Sequence, residues 1–413
     1  MSQALEQAQD LARASACDWE EKQGLHCLVP DDPQGLAQVL SEARARQQRI
    51  MPMGAGTQLT WCRPDAYPGS IDGSMPPIPI SLRRLTGIVE QIPGEGTITA
   101  QAGTPWNTLS EAVKQSGERL PGDLGCAQES TLGGVLASGR SGPDRMRHGP
   151  LRHHLLGMQV MLTDGTRAKS GGRLVKNVTG FDLHRLYAGS RGTLVFILEA
   201  SLRLMAEPQK EWSFSLTVSD CAQGFALALE LQKAMPRLRW LVLRRTGNGF
   251  SLAGGLSGSS LQVEADKALV LTTLSETPET FEEESSNHRQ RVVEAGSENL
   301  AVWQVDAPLG LGAPVLSALE KHLPAATNVW VDCSAGRILV ARDKSEAAEV
   351  MPQWSDEIRA LGARLQPLCA SASCHQQLVD PSPEIRSWSN RLTKSLDPTG
   401  ILTSSIFPLG AKS

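Results

Sequence analysis

The sequence has no basic excess: 40 Lys and Arg stand against 44 Asp and Glu, a formal net charge of −4. A protein that holds a polyanion by its phosphates needs a surplus of cations, so general nucleic-acid binding is excluded. Organised cysteine is lacking as well. The 8 Cys are scattered from Cys17 to Cys374, with no Cys-x-x-Cys pair. This is neither a disulfide framework nor the compact run that ligates an iron–sulfur cluster, and free thiols are expected. The 8 His include no His-x-x-x-His pair. His153 and His154 are adjacent, so they point different ways on a strand or a helix, and no metal site is expected. Long apolar runs are absent: the densest, Leu194 to Leu198, lies between Thr193 and Glu199. A membrane span needs about 20 apolar residues, so no transmembrane segment is expected. The first ten residues lack the basic and apolar regions of a secretory signal, so a cytoplasmic, reducing location is expected.

What is present is a chain of 413 residues, 40% hydrophobic and 20% charged, long enough for two or three folded domains. Leu5, Ala8, Leu11 and Ala12 are spaced as on a helix. Asp32 and Pro33 open a clearer one, with Leu36, Val39, Leu40 and Ala43 on one face. A short strand at Arg49–Pro52 then runs into glycines. Further strands are predicted at Ile80–Leu82, Gly87–Ile92, Thr97–Ala102, Leu156–Leu162 and Leu194–Leu204, with a helix from Thr104 and Pro105 through Val113. Beyond Pro208 the character changes. Strands at 212–218 and 239–244 flank a helix at 221–234, and residues 254–260 are rich in Gly and Ser. Leu269–Leu274 reads as a strand and Glu276–Arg291 as a helix. Val329–Asp332 and Arg337–Arg342 read as a hairpin, with helices at Ser345–Leu361 and Glu384–Leu396. No internal repeat stands out. The alternation indicates an α+β second domain.

Much of the glycine gathers in three segments. In Pro52-Met53-Gly54-Ala55-Gly56-Thr57-Gln58 a strand ends on glycines. It is not a Walker loop, because no Lys-Ser/Thr follows, and Leu59 breaks the dinucleotide fingerprint. Its N–H groups and a Thr hydroxyl suit an anion, and a plain tight turn fits equally well. The second segment holds Gly122, Gly125, Ser130-Thr131-Leu132-Gly133-Gly134, Ser138-Gly139 and Gly142, followed by Arg147-His148-Gly149. Two such loops in one domain suggest a long ligand with a diphosphate gripped by main-chain donors. The third is Gly171-Gly172-Arg173-Leu174-Val175-Lys176-Asn177-Val178-Thr179-Gly180-Phe181-Asp182-Leu183, leading to Leu186-Tyr187-Ala188-Gly189-Ser190-Arg191-Gly192-Thr193-Leu194.

In this order the three segments resemble the PCMH-type FAD domain of the vanillyl-alcohol-oxidase superfamily. Through Arg173 to Leu183 they are most similar to the E-type FAD-binding subunits of glycolate oxidases (glycolate dehydrogenases). The resemblance covers about residues 27–207 and the terminal Asp397-Pro-Thr-Gly-Ile-Leu. It implies an α+β fold: an N-terminal helical segment (1–26), a two-lobed FAD domain (27–207), an α+β, ferredoxin-like cap (208–380) and a tail returning to the FAD domain (381–413). It also implies FAD lying between two subdomains. Met53, Gly54, Ala55, Gly56, Thr57 and Gln58 would wrap the pyrophosphate. Ser130, Thr131, Gly133, Gly134, Ser138 and Gly139 would line the pyrophosphate and flavin side. Pro121 and Gly122 would precede that wall, Arg147 and His148 would follow it, and Ile197 would offer backbone groups.

Three departures from the family pattern bear on the site. Met53 stands in the first loop with no His beside it, so the FAD is expected to be non-covalent. Val195 takes the usual small position after Gly-Thr-Leu and tightens the space, and Phe181 replaces a Tyr. Oxidising a 2-hydroxy acid needs a cation for the carboxylate, a base for the hydroxyl proton and a hydride acceptor. Beyond residue 207 only His288, His322 and His375 remain, widely separated, so catalytic residues stay unassigned. Arg244-Arg245 fits a carboxylate site or a solvated strand end. Arg152, His153 and His154 are candidates beside the flavin, and Lys176 and Asp182 fit loop-pinning. The resemblance therefore implies a subunit oxidising a small 2-hydroxy acid, glycolate to glyoxylate. Its expected partners are a D-type FAD-containing catalytic subunit and an iron–sulfur subunit, with any contact at the inner membrane face made through that complex. A stand-alone FAD-linked hydroxy-acid oxidoreductase and a flavin-free scaffold keeping the fold are the alternatives.

Overall fold

The computed structural model describes residues 3–22, 25–57, 77–122, 129–172, 181–246, 249–274, 277–281, 300–308, 310–324, 327–343, 351–369 and 383–402. The first lobe holds β1 (Asp18–Lys22), β2 (Leu25–Val29), β3 (Ile50–Met53) and β4 (Ile78–Ser81), in the order β1-β2-β4-β3. β2, β4 and β3 run parallel, and β1 pairs antiparallel with β2. The helix Pro33–Ala45 crosses between β2 and β3. Asp32 caps it by accepting from the Gly35 N–H at 2.7 Å, and Leu36, Val39, Leu40 and Ala43 bury one face as the sequence predicts. The helix Gln3–Ala14 adds Ala8, Leu11 and Ala12 to the same core. Pro52 is tolerated in β3 because that strand is an edge of its sheet.

The second lobe strings together β5 (Ile88–Ile92), β6 (Thr97–Gln101), β7 (Glu118–Arg119), β8 (Leu155–Met161), β9 (Arg167–Gly171), β10 (Phe196–Arg203) and β11 (Met205–Ala206). Five of them form an antiparallel sheet, β5-β6-β10-β8-β9, and β7 pairs with β11. Met161, Phe196 and Leu198 of this lobe are packed in the first lobe's core, so the two lobes share an apolar seam.

The cap is an eight-stranded antiparallel sheet of β12 (Lys210–Val218), β13 (Trp240–Thr246), β14 (Gly249–Gly258), β15 (Glu279–Phe281), β16 (Leu300–Asp306), β17 (Asn328–Asp332), β18 (Arg337–Asp343) and β19 (Arg364–Cys369). The order β15-β12-β14-β13-β17-β18-β16-β19 resolves into two βαββαβ units. Each has the ferredoxin-like order 4-1-3-2, and they meet through β13 and β17. The cap is thus an internal duplication that the sequence hides, because the pattern of elements repeats while the residues do not.

Two local readings are corrected. Leu269 to Leu274 is not a strand but the end of the helix Ser260–Thr273, opened by a capping box between Ser259 and Gln262. Glu279 to Phe281 is a strand rather than helix; residues 282–299 lie outside the described residues. Gly254 and Gly255 sit inside β14 because rings press on it. A Cβ at Gly255 would lie 2.1 Å from Trp240 Nε1, and one at Gly254 would lie 2.6 Å from the Phe214 ring.

The tail returns to the first lobe. Asp397 Oδ2 accepts from the Leu402 N–H at 2.7 Å and Oδ1 from the Gly400 N–H at 3.1 Å. The Ile50 N–H donates to the Ile401 carbonyl at 2.8 Å, so the tail covers part of β3's open edge.

Candidate functional site: a cleft between the two lobes

The loop after β3 faces the start of the helix Leu132–Ser138 across the lobe boundary. Gly54 makes this approach feasible, since a Cβ there would lie 2.0 Å from Thr131 Oγ1. That oxygen caps the helix, accepting from the Gly134 N–H at 3.2 Å. A hydrogen bond of 2.7 Å joins the Thr57 and Ser130 hydroxyls from opposite lobes, and Ser81 Oγ donates to the Gly54 carbonyl at 3.0 Å. The two glycine segments are therefore brought together, and the cleft between them encloses about 730 Å³, its open mouth included.

Their roles differ. The N–H groups of Leu132, Gly133 and Gly134 are spent on the Thr104 carbonyl, the Ala102 carbonyl and Thr131 Oγ1. That segment is a wall of small residues rather than a row of donors. Among the described residues, nothing accepts from the N–H groups of Gly54 to Thr57. Among the described residues this loop is therefore the donor set left for an anion.

Met53 to Thr57, Ser130, Thr131, Gly133, Gly134, Ser138 and Ile197 all line the cleft, as does Val195. Gln58 lies outside the described residues. Pro121, Gly122, Gly139, Arg147 and His148 are not in the lining. Arg147 is exposed, and Gly139 ends the helix in the left-handed region at φ 64°. His148 belongs instead to a charged cluster where the cap docks. There Arg239 donates to Asp144 through Nε at 2.8 Å and Nη2 at 2.7 Å, and its Nη1 donates to Glu211. Arg119 donates to Glu211 at 3.2 Å and lies 3.5 Å from His148 Nε2. Burial pushes the His148 pKa down to about 4. His154 is buried and bonded to the His148 carbonyl at 2.8 Å, away from the cleft. Asp182 pairs with Arg185 at 3.2 Å, while Lys176 lies outside the described residues.

Sequence reasoning assigned no role to Arg191. It is the only ionisable side chain among the described residues of the lining, and it holds φ 55°. Its N–H donates to the Ala137 carbonyl at 2.8 Å. The available signal was an arginine set between two glycines, Gly189 and Gly192. A donor loop, one cation and walls of Gly, Ala and Val suit a long, flat, diphosphate-bearing group.

Residues 25–171 match the family model described as FAD binding domain. The chain therefore carries a PCMH-type FAD-binding domain, with FAD as its cofactor. Among curated proteins it is 36% identical over 141 residues to glycolate oxidase subunit GlcE of Escherichia coli, covering 34% of this chain and 40% of that one. It is 28% identical over 182 residues to glycolate oxidase subunit GlcD of Bacillus subtilis, covering 44% and 37%. It is 31% identical over 206 residues to mitochondrial D-2-hydroxyglutarate dehydrogenase of Bos taurus, covering 49% and 35%. The matches thus span about two fifths of these relatives' length or less. In fold it is similar to alkyldihydroxyacetonephosphate synthase, with a TM-score of 0.68 at 16% identity over 91% of this chain and 75% of that one.

Proposed function

We propose that the chain is the FAD-binding subunit of a glycolate oxidase-type complex that oxidises a 2-hydroxy acid, glycolate to glyoxylate, and passes electrons to an iron–sulfur partner. The cleft carries this reading, with the N–H groups of Gly54 to Thr57, from which no described residue accepts, on one side and Arg191 on the other. These groups would hold the diphosphate, while Ala102, Gly133, Gly134, Val195 and Ile197 would pack the rest of the cofactor and keep water from it. Bound FAD supplies the two-electron acceptor for a hydride. No His flanks Met53 in the loop, which supports a non-covalent cofactor.

The subunit role draws support from the glycolate oxidase relatives, both of which carry subunit names. Among the described residues no group of three His, Cys, Asp or Glu converges as a metal site, and an iron–sulfur centre is assigned to a partner chain. No described helix is long and apolar enough to cross a membrane; contact with a membrane would run through the complex. On this reading an N-terminal helical segment (1–26) precedes the FAD domain (27–207), the cap (208–380) and the returning tail (381–413).

Co-purification tests the partners. A tagged chain expressed with its neighbours is expected to bring down a larger flavoprotein and an iron–sulfur protein. Glycolate-dependent bleaching of the flavin by the isolated chain would instead favour a stand-alone enzyme.

A further inference from the structure

A second cavity lies behind the FAD cleft. The helix Leu132–Ser138 separates them: Gly133, Gly134, Ala137 and Ser138 face the cleft, whereas Val135 and Leu136 line the second cavity. The two linings share no residue. The second encloses about 580 Å³, its open mouth included, and runs from the FAD domain to the cap.

Its charge is one-sided. Arg145, Arg152 and Arg337 line it, and among the described residues of the lining there is no Asp or Glu. Arg145 is half-buried, and among the described residues no carboxylate or carbonyl accepts from its guanidinium. Burial lowers its pKa first, and Arg337 nearby lowers it further. Arg337 comes from the cap and spends its Nε on Asp306 at 3.1 Å. Arg152 is exposed and likewise takes no partner among the described residues. Asp332, which also acts on Arg145 through its charge, is held by Ser334.

Asp306 and Asp332 act on Arg145 through their charges from outside the lining, and placing a partly desolvated guanidinium beside two others with no carboxylate bonded to it still costs free energy. A bound oxyanion removes that cost, since planar guanidinium forks take carboxylate or phosphate oxygens in pairs. Ser141, also in the lining, adds a hydroxyl donor.

We propose that this cavity is a second ligand site, holding one small oxyanion, a carboxylate or a phosphate, between Arg145 and Arg152 of the FAD domain and Arg337 of the cap. Because its ligands come from both domains, occupancy fastens the cap to the FAD domain. The site is separate from the hydride-accepting cleft and does not depend on it.

Titration calorimetry on the full FAD-saturated chain, at constant ionic strength, tests this with oxalate and with inorganic phosphate as probes. One saturable site per chain is expected for at least one probe. Tighter oxalate binding assigns a carboxylate, and tighter phosphate binding assigns a phosphate. Arg145→Gln is expected to weaken binding about tenfold or more, with Arg145→Lys recovering part of it and the flavin content per chain unchanged. Arg152→Gln, at an exposed position, serves if R145Q does not fold, and it too is expected to weaken binding. No saturable binding of either probe by the wild-type chain, or wild-type affinity kept by both R145Q and R152Q, overturns the proposal. Oxyanion binding by a chain without flavin would leave this site standing while the FAD reading fails.

Discussion

A Cβ at Gly54 would collide with Thr131 Oγ1, the oxygen that caps the helix behind it. Gly54→Val therefore either pushes the donor loop away or strips the cap. It is expected to cost about 1 kcal/mol from the lost cap and to raise the FAD dissociation constant about tenfold or more, read by flavin fluorescence titration. The second residue-scale prediction concerns His148. Burial holds its pKa at about 4 against an ordinary 6.5. Between those values the unfolded chain takes up a proton that the folded chain refuses. Stability is therefore full above the upper value and falls as pH drops toward the lower. Urea midpoints measured in steps across that interval are expected to fall, and His148→Gln is expected to flatten the slope.

At the scale of elements, legibility depended on how local the signal was. The helix Pro33–Ala45 was readable because its cap, its proline and its apolar face all lie within one short stretch. The helix Ser260–Thr273 was not, because its apolar residues are spread around its axis. Leu269 and Leu271 are exposed while Asp266 is buried against Arg237, so its period is blurred. The glycines of β14 answer to Phe214 and Trp240 on other strands, contacts no single segment can show. In the site, the glycine loops were visible as composition. The division into a donor loop and a wall depends on which N–H groups are already spent, and the position of Arg191 depends on a backbone turn. Asp397 is the element-scale test. Its carboxylate holds the tail's N–H groups at Gly400 and Leu402, which lets Ile401 cover the edge of β3. Asp397→Ala is expected to cost about 1–3 kcal/mol and to speed amide exchange at Ile50.

For the whole molecule, the cleft needs both lobes, and a buried charged cluster helps to dock the cap. Asp144 and Arg239 are 3% and 5% exposed and lie in different domains. Arg239→Met takes a buried cation from both Asp144 and Glu211, so it is expected to cost about 3–5 kcal/mol. Cap and FAD domain would then unfold in separate transitions in urea, and Arg239→Met with Asp144→Leu is expected to recover much of the loss. The central claim is that the interlobe cleft holds FAD without a covalent bond. Its most direct test is the flavin content of the purified chain before and after acid precipitation. One FAD per chain, released entirely into the supernatant and lost in Gly54→Val, is the predicted result. A colourless chain that takes up no added FAD, or flavin that stays with the precipitated protein, would contradict it.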